Sequence, residues 1–415
     1  MNPQINRWRQ AIVGVILLLL AGMVYAWSVL SIPIAQEFAS WTKAQLSMTF
    51  TLTMILFCVG CLVGGLLNRR LTPRIFVLIS AVLFLVGFFA ASCIKTAMGL
   101  YLSFGVLCGL ASGFVYNAVM GTVSAWFPDR QGLISGVLLM GFGLSSFLVG
   151  KLYQAFTPAQ IGGWRISFRV MGVITLVVFV ICSFFLKRPG SDFVPPASAA
   201  ARKKWSNPVA EEAPAQVMMR RPAFWMYYLW AVLLSAAGLA LVSQASGIAR
   251  QVGPQVEAGV IATVVGLISI FNGIGRVIAG SLFDRLGRSM TMQLTNVTFL
   301  IAGAILLAAL SCGSFPVLVL GFIVGGLAYG GITPTNSAFI SSYYGRKHYP
   351  VNFSIINTNL IVASFGSTIA GSLYDASMSY MSTIAMIVVL GALGIAASIG
   401  ISLCDKAMLS GRSAR

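Results

Sequence analysis

Apolar residues along this chain come in long runs, and short polar pieces rich in Arg, Lys, Gly and Pro separate them. A helix needs about 20 such residues to cross the ~30 Å hydrocarbon core of a bilayer. Twelve runs meet that length, near 11–32, 44–67, 75–93, 98–125, 133–155, 167–186, 224–248, 260–283, 291–312, 315–341, 352–373 and 383–404, some interrupted by Gly or Pro. Each predicts a membrane-spanning helix. Arg7 and Arg9 precede the first run as they would in a signal peptide, but the run exceeds a usual signal core and eleven more follow, so a retained helix is expected. The piece between the sixth and seventh runs is rich in Pro, Ala and charge, and it predicts a linker at 187–223 between an N-terminal bundle (1–186) and a C-terminal bundle (224–415).

The two halves resemble each other. GGLLNRR (64–70) matches GSLFDRL (280–286), VGKLYQ (149–154) matches AGSLYD (370–375), and GLASG (109–113) matches GLAYG (326–330). Such parallel repeats predict an all-α membrane protein in which two six-helix bundles rock about a site near the midplane.

Composition agrees, with 58% hydrophobic and 9% charged residues among 415. The net charge of +18 would suggest nucleic acid in a soluble protein, but the basic residues bracket the apolar runs and line no aromatic platform. Twenty of the 27 Lys and Arg fall on one side of the predicted spans, which puts both termini and the linker in the cytoplasm. The seven cysteines lie mostly inside apolar runs, so the CVGC at 58–61 reads as buried small hydrophobes and no metal or other cofactor is expected. No carboxylate pair or activated nucleophile lies at depth and the sole histidine, His348, is in a loop, which argues against an enzyme.

One residue resists the pattern. Arg276, in FNGIGRVIAG (271–280), lies well inside the eighth run, too deep to snorkel to a helix end. An arginine at that depth costs several kcal/mol and is kept for a cavity, a partner or a function. All nine acids fall in loops or at helix ends, so the sequence offers it no carboxylate at its own level. A guanidinium grips a carboxylate with two parallel hydrogen bonds, and the expected counter-ion is therefore an organic-anion substrate. Asn272 lies one turn away on the same face, where it can orient the guanidinium or touch substrate. The aligned position in the first half is Gly60, so the charge is not a feature of the repeat.

GSLFDRLGR, after the eighth run, resembles the cytoplasmic loop motif of the major facilitator superfamily, a packing Gly followed by an acid and basic residues that tie helix ends. In this reading Asp284, Arg285, Gly287 and Arg288 form the gating motif of the second half. Asn68 with Arg69 is its counterpart in the first, where Asn68 replaces the acid. VYAWS, VYNAVMGTVSAWFPDRQGLISG, FNGIGR and PTNS together resemble the oxalate/formate antiporter family, which is related to animal monocarboxylate transporters. The resemblance covers essentially the whole chain. It implies that Tyr25, Trp27, Tyr116, Phe142, Tyr329 and Asn359 line the substrate cavity with Arg276 and Asn272. Oxalate carriers of that family have a Lys where Asn359 stands and a Tyr where Phe142 stands, so one cation and one carboxylate are expected here, a monocarboxylate in place of oxalate. The expected function is a monomeric carrier of a small organic anion in the bacterial cytoplasmic membrane, with the lipid bilayer as its other partner. Anion exchange is the expected coupling, with proton symport, or a transporter-like sensor, as alternatives.

Overall fold

The computed structural model describes residues 3–413 except 42, 69, 159 and 191–211. Arg69, Asp192, Glu211 and most of the expected linker lie outside those residues. The described chain is all-helical, and eleven helices are long and apolar enough to cross a membrane. One of them, Ala258–Cys312, is two helices run together across Gly287, whose backbone at φ 79° and ψ 179° leaves the helical region. The spans therefore number twelve: α1 (Arg7–Ala26), α2 (Met48–Leu67), α3 (Pro73–Ala91), α4 (Ala97–Trp126), α5 (Gln131–Tyr153), α6 (Trp164–Phe185), α7 (Pro222–Val252), α8 (258–286), α9 (288–312), α10 (Phe315–Tyr344), α11 (Tyr349–Ser377) and α12 (Tyr380–Cys404).

Local chemistry sets the helix ends. Proline opens α3 and α7 in the first turn, where its missing N–H costs nothing. Thr96 caps α4 by accepting the Gly99 N–H at 3.2 Å. Gly313, at φ 61°, ends α9 in the left-handed conformation that glycine adopts without a Cβ penalty. Inside α10 the helix breaks at Gly331, three residues before Pro334, whose ring clashes with the carbonyl of the preceding turn. A 3₁₀ stretch at Gly22–Ala26 interrupts the first helix, and a π-helical stretch occupies Tyr101–Cys108 of α4.

The chain forms two compact units, one of Met1–Asp129, Val137–Ala197 and Phe353–Ile355, the other of Arg130–Gly136, Ser198–Asn352 and Ile356–Arg415. In the first unit α4 packs on α1, α2 and α3, and α6 on α3. Gly113 and Gly60 let α4 and α2 touch backbone to backbone; a Cβ at Gly113 would meet the Phe57 carbonyl and, at 2.9 Å, the Gly60 Cα. At one end, Arg7 binds Asp129 through two hydrogen bonds of 2.8 and 3.3 Å. At the other, Glu37 accepts from Arg165 at 2.6 Å and from the Trp164 indole at 2.7 Å. Burial pushes the Glu37 carboxyl up, but these two hydrogen bonds and the Arg165 charge outweigh it and hold it below the usual carboxylate range. A depressed folded pKa gives stability that is complete above the unfolded value and lost as pH falls through the folded one. We therefore expect the thermal midpoint of the detergent-solubilised protein to fall as pH drops below about 4.3, the ordinary Glu value, and Glu37→Gln to flatten that slope. An unchanged slope in the variant would assign the acid lability to other groups.

In the second unit α10 packs on the α8–α9 pair, and α12 on α7 and α9. Hydrocarbon surroundings favour pairing of buried polar side chains, and in the core of this unit Tyr227 donates to Asn336 at 2.9 Å and Trp230 to Asn296 at 2.8 Å. The end of the linker is seated on this unit. Glu212 accepts the backbone N–H groups of Arg346 and Lys347 at 3.1 and 2.9 Å, beside Gly345 at φ 75°, and the Asn352 amide donates to the Ala213 carbonyl at 2.9 Å.

Candidate functional site

Arg276 lies midway along α8, half-buried, and its Nε donates to Asn272 Oδ1 at 3.0 Å. One turn of helix thus holds the guanidinium by its inner nitrogen, and a guanidinium is the group whose planar fork matches a carboxylate. Glycines bring α10 onto α8 at this level. A Cβ at Gly330 would meet the Asn272 carbonyl and, at 2.9 Å, the Arg276 backbone nitrogen, and a Cβ at Gly275 would meet the Leu327 carbonyl. In the first unit the same crossing joins α2 and α4, where Gly60 meets Leu110 as Gly275 meets Leu327, so Arg276 stands one residue beyond the point of closest contact. That contact carries Tyr329 into place, its ring lying on Gly238 of α7 and within electrostatic reach of the Arg276 charge.

In the first unit Tyr25, Tyr116 and Phe142 form one aromatic group. Ring centroids are 5.3 Å apart for Tyr25 and Phe142, and 5.1 Å for Tyr116 and Phe142. Tyr25 rides on the 3₁₀ stretch of α1, which Ser112 of α4 ties down by donating to the Ala21 carbonyl at 2.9 Å. Gly22 lets this stretch approach the Phe142 backbone of α5. Three aromatics that sequence reasoning passed over complete the group: Phe50 at 6.1 Å from Tyr25, Phe57 at 5.1 Å from Tyr116, and Phe353, stacked on Tyr116 at 5.8 Å. Edge-to-face and offset geometries of this kind favour cohesion and leave an apolar wall with two hydroxyls.

Two other expected residues sit elsewhere. Trp27 packs at a tilt on Phe104, ring centroids 4.8 Å apart, and donates its indole N–H to the Leu46 carbonyl at 2.9 Å, outside the aromatic group. Asn359 is fully buried, accepting from Ser235 of α7 at 3.2 Å and donating to the Ile356 carbonyl. Lys151 is exposed, as a snorkelling side chain would be.

The motif residues work through helix ends. Asp284 accepts the backbone N–H groups of Gly132 and Leu133 at 2.7 and 2.8 Å, a carboxylate placed on the positive end of α5. Gly287 makes the turn between α8 and α9, Arg288 is buried with its guanidinium 4.8 Å from the Tyr343 ring centre, and Arg285 is exposed. Asn68 instead accepts from Arg188 at 2.7 Å, a contact made with side-chain oxygen where an acid would bring charge. Sequence reasoning also missed a chain of buried hydroxyls, Ser135 to Ser337 at 2.6 Å and Ser337 to Tyr349 at 2.7 Å, which links the start of α5 to α10 and α11. The available signal was polarity inside apolar runs, in PTNS above all.

A family model described as Major Facilitator Superfamily matches residues 11–252 and 239–404. The oxalate:formate antiporter of Oxalobacter formigenes is 27% identical over 353 residues, covering 83% of this chain and 80% of that protein. An uncharacterized transporter of Escherichia coli K12 is 26% identical over 368 residues, covering 86% and 85%. Human monocarboxylate transporter 11 is 32% identical over 141 residues, 34% of this chain and 30% of that one. Among solved structures, a proton:xylose symporter superposes with a TM-score of 0.70 at 12% identity, covering 94% of each chain, and so shares the fold.

Proposed function

This chain belongs to the major facilitator superfamily, and from that premise we propose that it carries a small organic anion, a monocarboxylate, across the bacterial cytoplasmic membrane by alternating access. The observation that carries the reading is Arg276, a guanidinium half-buried midway along α8 and oriented by Asn272. A deep guanidinium is retained for a function, and a planar carboxylate is its geometric match. Relatives named for oxalate, formate and monocarboxylates support the substrate class. Charge follows from the second unit itself, where Asn359 brings no second cation.

Exchange of one anion for another is the coupling this site suits best. No carboxylate is available at the level of Arg276 in the sequence to relay a proton, and a bound anion restores neutrality in either direction of travel. The distribution of Lys and Arg supports cytoplasmic termini, and the carrier acts as a monomer. Reconstituted liposomes preloaded with formate, lactate, pyruvate or oxalate, or with no anion, test this directly. External monocarboxylate should enter at least about tenfold faster than oxalate, a discrimination of roughly 1.4 kcal/mol, and only when an internal anion is present. Uptake that ignores internal anion and follows a pH gradient would replace exchange by symport, and equal oxalate uptake would sink the single-carboxylate reading.

A further inference from the structure

The first unit has a second concentration of cationic and aromatic side chains, at the end where α1 and α3 begin and α6 finishes. Phe184 and Phe185 close α6 and are 54% and 42% exposed. They are consecutive, so they face about 100° apart around the helix, and each carries an arginine. The Arg9 guanidinium of α1 lies 5.5 Å from the Phe185 ring centre, and that of Arg74 of α3 lies 4.3 Å from the ring centre of Phe184. Cation–π contact orients both groups but leaves their hydrogen-bonding capacity unspent. The Arg9 Nε is in fact buried with no hydrogen-bond partner. Trp8, 42% exposed, and exposed Lys187 and Arg70 extend the same belt.

Charge at this end is unbalanced. Arg74 stands in the first turn of α3, the positive end of the helix dipole, with no acidic residue in that turn and no side-chain cap from Thr72. The two acids of this unit within the described residues are engaged, Glu37 by Arg165 and Asp129 by Arg7. Neither of those acids meets Arg9 or Arg74, so both cations suit an anion from outside the chain, and the exposed rings select its kind. In a twelve-span protein, rings exposed on the outer face of a span meet hydrocarbon; a soluble anion gains nothing from them, whereas a lipid fills them with its acyl chains.

We propose that Arg9 and Arg74, with the rings of Phe184 and Phe185, form a binding site for one anionic phospholipid, its charged headgroup drawn to the two guanidiniums that flank the end of α6 and its chains laid along α6. The lipid then ties α1, α3 and α6 together at the membrane surface.

Native mass spectrometry of the detergent-purified full chain, titrated with phosphatidylglycerol, tests the site, with phosphatidylcholine of the same chain length as a second arm. A juxtamembrane cation contributes about fivefold in affinity for an anionic lipid. Phosphatidylglycerol retention should thus weaken about fivefold in Arg9→Gln or Arg74→Gln and roughly 25-fold in the double variant, with lysine at both positions restoring most of it. Phosphatidylcholine binding should not change. Equal retention of phosphatidylglycerol by the wild type and the double variant would overturn the site, and inorganic phosphate competing at lipid concentrations would overturn the lipid assignment. Arg74 is exposed on the surface, so the Arg74→Gln result stands even where Arg9→Gln folds poorly.

Discussion

Substitution of Arg276 by Gln is expected to reduce organic-anion uptake in liposomes by roughly a hundredfold or more, with the protein still folded. Truncating one partner of a desolvated, hydrogen-bonded charge pair costs about 2–5 kcal/mol, because the bound carboxylate then enters a low-dielectric site with no cation to meet it. Arg276→Lys keeps the charge but replaces a planar fork with a point donor, and it gives up the Nε that Asn272 holds at 3.0 Å. That variant should retain a small fraction of the activity, about a tenth or less. Asn272→Ala should act in the same direction and more weakly, since it frees the guanidinium to swing without removing it. Thermal midpoints separate the readings: a structural arginine would lower the midpoint along with transport, a binding arginine transport alone. Wild-type uptake by Arg276→Gln would show that the substrate is bound elsewhere.

The largest effect on folding is expected at Gly280. A Cβ there would fall on the Gly132 carbonyl, within 2.6 Å of its carbon, and a Cβ at Gly132 would fall on the Gly280 carbonyl in return. Backbone cannot rotate out of the way as a side chain can, so Gly280→Val must push the first turn of α5 off α8. Overpacking alone costs about 1–3 kcal/mol. The displacement also strains the two hydrogen bonds from Gly132 and Leu133 to Asp284, each charge-assisted and worth about 1.5–3 kcal/mol. The sum, on the order of 4 kcal/mol or more, is a large part of the stability of an ordinary domain. Gly280→Val should yield little monodisperse protein after detergent extraction, and Gly132→Val likewise. Gly266 provides the comparison, since it also lies in α8 with nothing within 4 Å of a built Cβ, and Gly266→Ala should be tolerated. Equal yields from Gly280→Val and Gly266→Ala would show that the crossing yields more easily than this geometry implies.

Sequence and structure meet where a residue contrasts with its surroundings. Twelve apolar runs were legible because water and lipid demand opposite chemistry, and Arg276 stood out for the same reason. Its tie to Asn272 followed from a spacing of four on one helix face. Pro334 belongs with these, since its ring and missing N–H account for the break in α10 from sequence alone. Where contrast is absent, prediction thins out. Phe57 and Phe353 are apolar residues in apolar stretches, and nothing local distinguishes a ring that completes the Tyr116 group from one that faces lipid. Trp27 carried the family pattern and Asn359 departed from it at a family position, yet their hydrogen bonds to the Leu46 carbonyl and Ser235 depend on tertiary placement that no spacing encodes. Glu212 read as part of a solvated, charged linker, but its partners are main-chain N–H groups, which every residue but proline has and which therefore leave no trace in composition.

The single residue that joins α8 to α9 has a mechanical meaning. Helices joined by a long loop can shift independently, because slack in the loop absorbs the motion. Here all change of direction is concentrated at Gly287, with helix on both sides, and Asp284, three residues earlier, is fastened to the start of α5. The joint acts as a pivot without backlash: a tilt of the helix that carries Arg276 reaches α9 undamped, and with it the shaft that Gln293 and Asn296 couple to Ser398 of α12. If Arg276 binds substrate as proposed, occupancy at one guanidinium is geared to the stance of three helices.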